Sequence, residues 1–278
     1  MKDDYSQRKL QAEMAKAAAR QKEKKEATQS RGDLWKEQRK NRKKLTQKAV
    51  LISVWSAAAV ALVVAAWFMG WFPAGTPTAL TQALANPKAS ELVIPRTGLT
   101  KLPDEISTLT ALQKLDVSEN QLAELPAGVA SLTSLQILKC RYNQLERLPS
   151  GLGNLAALKE LDCSGNKLTA LPDDWSGLKK LTRLDVSKNQ LGELPWNVGD
   201  LQSLTYFSAR NNHLGAVPDG LGKLTGLVEL DLSYNPISTL PDLSKMSHLK
   251  TLNLRSTKLT AAEKDRLRGS LPSTQLLF

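Results

Sequence analysis

Six asparagines, Asn120, Asn143, Asn166, Asn189, Asn212 and Asn235, stand 23 residues apart. Each belongs to the same phrase, whose first full copy reads Leu112-x-x-Leu115-x-Val117-x-x-Asn120-x-Leu122-x-x-Leu125-Pro126-x-x-Val129-x-x-Leu132. A fixed period of this length describes stacked units, none able to bury its apolar face alone. The Leu-x-Val core alternates as a short strand does, one side chain in and the next out. The asparagine leaves the strand, and its amide can satisfy backbone groups of a turn that would otherwise be buried unpaired. Stacked, the six make a ladder. Leu-Pro pairs at 102–103, 125–126, 148–149, 171–172, 194–195 and 240–241 bend the chain onto the opposite side, where proline's fixed φ and missing donor are tolerated.

The phrase resembles the 23-residue leucine-rich repeat of Ras-suppressor-type and scribble-type proteins and of many bacterial ones, over roughly residues 89–278. The resemblance implies an α/β repeat fold, a leucine-rich repeat solenoid with a curved parallel β-sheet on its concave face and a partner bound there. About eight repeats are expected over 89–259. Thr97 and Thr257 replace the asparagine at the two ends, where repeats of a stack are atypical. Residues 260–278 read as a C-terminal cap. There, Thr260-x-x-Glu263 forms a capping box, a short basic helix runs through Arg268 and ends at Gly269, and a last edge strand follows from Thr274 to Phe278.

Residues 49–72 contain no charge. As a helix they would be about 36 Å long, enough to cross a hydrocarbon core of about 30 Å. Trp67, Phe68, Trp71 and Phe72 gather at one end like an interfacial aromatic belt. The run is longer than a signal-peptide core and begins too far from the N-terminus, so one uncleaved transmembrane helix is expected. Residues 1–48 hold 16 Lys and Arg against 7 Asp and Glu, nearly the whole of the chain's net charge of +11. The positive-inside rule therefore assigns this arm, helical or disordered, to the cytoplasm and the repeats to the other side. The expected location is a bacterial inner membrane with periplasmic repeats. Arg39 to Lys48 would meet anionic lipid head groups. The arm's only aromatics are Tyr5 and Trp35, and no nucleic-acid motif is present, so no nucleic-acid partner is expected. Ser53, Ala57, Ala61 and Ala65, at four-residue spacing, would let two spans approach closely, although an Ala-rich segment produces such a stripe by composition alone. Residues 73–88 read as a linker or N-terminal cap.

Cys140 and Cys163 lie one period apart, at the second inward strand position. Neighbouring strands are close enough for a disulfide, but nearly parallel side chains disfavour its dihedral, and two buried thiols are expected. With no further Cys, and with His213 and His248 out of frame, no metal site is expected. The chain lacks a Gly-rich phosphate loop, a His-Glu-x-x-His and a Gly-x-Ser-x-Gly. Neither an enzyme nor a cofactor is expected.

The strand positions beside the inward leucines read Asp-x-Ser in four repeats, at Asp116, Asp162, Asp185 and Asp231, and are expected to be exposed. Departures from that background are more informative. Tyrosine and arginine are the usual interface anchors, and Lys139, Arg141, Tyr142, Arg183, Tyr206 and Arg210 make the candidate protein-binding face. Trp175 takes a leucine position and belongs to the core. Trp196, directly after Leu194-Pro195, is a second candidate contact. The functional expectation is a membrane-tethered interaction or scaffold module. A cell-envelope glycan-binding or structural module, and an adaptor acting through the basic arm, stand as alternatives.

Overall fold

The computed structural model describes residues 77–278. Nine three-residue strands form a single sheet, each paired in parallel with its neighbour in sequence: β1 (Glu91–Val93), β2 (Lys114–Asp116), β3 (Ile137–Lys139), β4 (Glu160–Asp162), β5 (Arg183–Asp185), β6 (Tyr206–Ser208), β7 (Glu229–Asp231), β8 (Thr251–Asn253) and β9 (Gln275–Leu277). From β1 to β7 the register is one coil per 23 residues, so Leu115 lies beside Leu138, Leu161 and Leu184 in one buried column. Val117, Cys140, Cys163 and Val186 form the next. At the sixth coil Phe207 replaces leucine in the first column and Ala209 takes the second, and both are fully buried. The larger ring and the smaller neighbour keep the core filled.

The strands are short because their ends are chemically set. The Oδ1 atoms of Asp116, Asp162, Asp185 and Asp231 accept the amides of Ser118, Ser164, Ser187 and Ser233 at 2.9–3.1 Å, which starts a turn. The serines are buried, against the expectation that these positions are exposed. They lie beyond the strand, where the chain is already turning inward. At the next residue the backbone is left-handed. Arg96, Glu119, Tyr142, Gly165, Lys188, Asn211, Tyr234 and Ser256 have φ between 52° and 68°. Glycine alone adopts that region without steric cost. The other seven are held there by the ladder residue that follows each one.

Asn143 shows how the ladder works. Its Nδ2 donates to the carbonyls of Cys140 in its own coil, at 2.9 Å, and of Val117 in the preceding coil, at 3.0 Å. Its Oδ1 accepts from the amide of Leu122, also in the preceding coil, at 3.0 Å. The same triad recurs at Asn120, Asn166, Asn189, Asn212 and Asn235. Thr97 and Thr257 keep the bond to the carbonyl three residues back through their hydroxyls, at 3.2 and 2.7 Å.

Opposite the sheet, prolines with φ near −65° start single 3-10 turns, among them Asp104–Thr108, Ala127–Ser131, Ser150–Asn154 and Asp219–Lys223. In the Trp175 coil the indole is buried and its Nε1 donates to the Pro172 carbonyl.

Helix α1 (Thr78–Leu84) lies within the stretch read as linker or cap. It buries Leu80 and Ala83 against the core beside β1. Helix α2 (Ala261–Ser270) runs past Gly269, the residue expected to end it. Half of the capping box forms, with the Glu263 amide donating to Thr260 Oγ1 at 3.2 Å. The Glu263 carboxylate does not return to Thr260. It accepts the Leu240 amide at 3.0 Å and pairs with Arg266, which also donates to the Leu240 carbonyl at 2.8 Å. The Arg266 guanidinium holds the Glu263 carboxyl below its ordinary range. The helix thus caps the seventh coil's exposed backbone.

The basic arm at 1–48, the apolar segment at 49–72 with Ser53, Ala57, Ala61 and Ala65, and the lipid contact at Arg39–Lys48 lie outside the described residues. Among the described residues no helix is long and apolar enough to cross a membrane.

Candidate binding surface

The six residues singled out in the sequence fall into two groups. Lys139, Arg183 and Tyr206 lie on the strands, on the concave floor. Lys139 Nζ meets Glu160 Oε1 at 3.0 Å, and Arg183 Nε lies 3.8 Å from the same oxygen. The Arg183 guanidinium covers the Tyr206 ring, 3.6 Å from its centroid. The register places Arg183 directly beside Tyr206 and Glu160, so the four side chains form one chain across β3 to β6. These ion pairs are partly exposed and contribute about 0–1 kcal/mol each to stability. Their larger effect is to hold a guanidinium and a phenol in fixed positions. Burial pushes the Tyr206 hydroxyl above its usual range, with the nearby Asp185 adding to the shift. Asp185 is itself raised by burial, against the opposing bonds from Ser187.

Arg141, Tyr142 and Arg210 lie past the strand ends, along the rim where the chain turns. Arg141 approaches Glu119 at 3.6 Å, and Glu119 also pairs with Arg96. That bond to Arg96 lowers the Glu119 carboxyl. The Tyr142 ring lies flat across Gly165, and a Cβ on that glycine would sit 2.5 Å from Tyr142 Cδ1. Beyond the glycine, Lys188 Nζ donates to the Tyr142 hydroxyl at 3.2 Å and lies 5.4 Å from the ring centroid. Arg210 stands over Tyr234, 4.7 Å from its centroid.

Lys188, Tyr234 and Gly165 were not singled out in the sequence. All three occupy the position before a ladder asparagine, and comparing the repeats column by column at that position would have found them. Trp196 is 77% exposed, on the face opposite the sheet. Cys140 and Cys163 are fully buried and unlinked. The hydrogen bond with Cys140, followed by burial, holds the Cys163 thiol well above its usual range. Among the described residues no group of three or more His, Cys, Asp or Glu is placed to hold a metal ion.

A family model described as a leucine-rich repeat region matches residues 91–167 and 161–277. No curated protein matches the chain. Among solved structures, a leucine-rich repeat protein of Leptospira interrogans is 28% identical with a TM-score of 0.58, covering 71% of this chain and 56% of its own. An internalin of Listeria monocytogenes is 24% identical with a TM-score of 0.55, covering 72% of this chain and 63% of its own. TLR13, in a complex with ssRNA13, is 22% identical with a TM-score of 0.61, covering 72% of this chain and 29% of its own. This chain therefore spans less than two thirds of the length of each.

Proposed function

We propose that this chain, which belongs to the leucine-rich repeat family, is a membrane-tethered protein-binding module without catalytic activity. The observation that carries the reading is the Lys139–Glu160–Arg183–Tyr206 chain on the concave floor. Arginine and tyrosine already held in place lose little entropy on binding, which suits them to anchor a partner protein. A photo-crosslinking residue at Glu229 is expected to capture that partner in whole cells, whereas one at Asp219, exposed in a 3-10 turn opposite the sheet, is not. Arg183→Ala together with Tyr206→Ala should remove the Glu229 crosslink while the fold persists. Equal capture from both faces would remove the floor as the binding site.

The uncharged segment 49–72 supports the tether, and the excess of Lys and Arg in 1–48 supports an orientation with that arm in the cytoplasm. In a bacterial cell this orientation would put the span in the inner membrane and the repeats in the periplasm. The span's small-residue stripe and the basic stretch beside it are the corresponding candidates for self-association and for anionic lipid. An alkaline phosphatase fused after Phe278 is expected to be active. An inactive phosphatase, with a cytoplasmic reporter active at the same position, would reverse the topology.

A further inference from the structure

We propose that the rim of the sheet, where the strands end, docks an extended acidic segment of a partner protein. The proposal rests on the concave side being the binding side, and it names the chemistry recognised there.

Charge is divided across this surface. From the third coil to the eighth, the rim consists of the positions equivalent to Arg141, Tyr142 and Gln144. These hold six exposed cations, Arg141, Lys167, Lys188, Arg210, Arg255 and Lys258, and no Asp or Glu. Among the described residues only Arg141 of the six makes an ion pair. The floor of the same coils, at the positions equivalent to Gln136, Ile137 and Lys139, carries Glu160, Asp162, Asp185, Glu229 and Asp231 against four basic side chains. The floor is nearly balanced, and the rim beside it is wholly cationic.

The rim is also organised in advance. Tyr142 and Tyr234 are 46% and 47% exposed, and each is already matched with a cation, Lys188 and Arg210. From Arg141 to Arg255 the rim crosses five coils at about 4.8 Å each, or about 24 Å, which an extended peptide spans in about seven residues. Such a peptide is narrow. Its side chains alternate, so carboxylates on one edge can meet the rim while the other edge faces solvent. Asp162 and Asp185 repel an anion that spreads onto the floor. This favours a peptide over a nucleic-acid strand, whose uniform phosphates and wide bases would cover both zones.

The test uses the full chain in detergent and a short, fluorescently labelled peptide of alternating Glu and Ala, read by polarisation at low and physiological salt. Binding that weakens with salt is expected. Lys188→Glu with Arg210→Glu should weaken it at least about tenfold, the loss of two charge-assisted contacts. Lys167→Glu, one coil away at an exposed position, gives a second reading should the double variant fold poorly. No binding to the wild type, or binding within twofold in either variant, overturns the proposal. So does a short oligouridine that binds more tightly and is lost in the same variants. A partner crosslinked from the floor in cells and undiminished by the rim variants would leave the concave reading standing and this one refuted.

Discussion

Asn166→Ala is expected to destabilise the array by about 4 kcal/mol, far more than one hydrogen bond contributes net. The reason is accounting at the backbone. Asn166 Oδ1 accepts the Leu145 amide at 3.1 Å, and its Nδ2 donates to the carbonyls of Cys140 and Cys163 at 3.1 and 2.9 Å. Alanine leaves the Leu145 amide without a partner, in a turn where the asparagine itself is only 8% exposed. It also takes one of two donors from each carbonyl, about 1 kcal/mol per bond, while Cys140 O keeps Asn143 Nδ2 and Cys163 O keeps Asn189 Nδ2. Each buried group left unpaired costs about 1–3 kcal/mol, and water reaching the edge of the turn returns part of that. In a stack the damage concentrates in the adjoining coils, because each coil contacts only its neighbours. Hydrogen exchange should therefore rise for the Leu145 amide and nearby coils, with a lower denaturation midpoint overall. Asn166→Asp is the sharper control. It is nearly isosteric, yet it places a carboxylate against two carbonyls and should be at least as damaging. A loss of only about 1 kcal/mol in both variants would show that water takes over the ladder's role.

Gly177→Ala should be nearly as severe, about 3 kcal/mol. An added Cβ there would overlap the Gly153 carbonyl oxygen, which is backbone and cannot rotate away. Overpacking of this kind typically costs about 1–3 kcal/mol, more where the obstacle is rigid. Gly199 and Gly222 face the same obstruction, from the carbonyl oxygens of Gly220 and Asp242. These glycines let the coils stack closely on the side away from the sheet. Gly192→Ala and Gly215→Ala meet nothing within 4 Å and should be neutral or stabilising by up to about 1 kcal/mol, through the unfolded chain. Thermal melts of the Gly177, Gly192 and Gly215 variants would separate the classes. If Gly177→Ala melts with Gly192→Ala, close stacking at Gly153 is not what requires glycine.

Much of the fold was legible in one dimension. The inward columns follow from alternation, and the ladder follows from a polar residue recurring where every neighbour is apolar. Leu-Pro marked the starts of the turns away from the sheet. Other features were not legible. Glu263 stands where a capping box predicts a bond back to Thr260, and it serves Leu240 and Arg266 because the helix is docked on the seventh coil. Ser118 looks like a surface residue in a strand pattern and is buried, because the strand ends at Asp116. At the candidate site the anchors Arg183 and Tyr206 stood out as departures from the repeat. Their stacking did not, since it depends on rotamers across two coils.

The sequence by itself determined the repeat, its parallel sheet, which side chains face inward and which asparagines hold the turns. It could do so because each coil repeats the same local constraint, and stacking is the only way such coils bury their apolar faces. The tertiary structure alone decided which glycines are indispensable, how α2 closes the end, and that Tyr142 reaches Lys188 across Gly165. Those contacts join residues one or two coils apart, and their distances exist only once the coils are superposed.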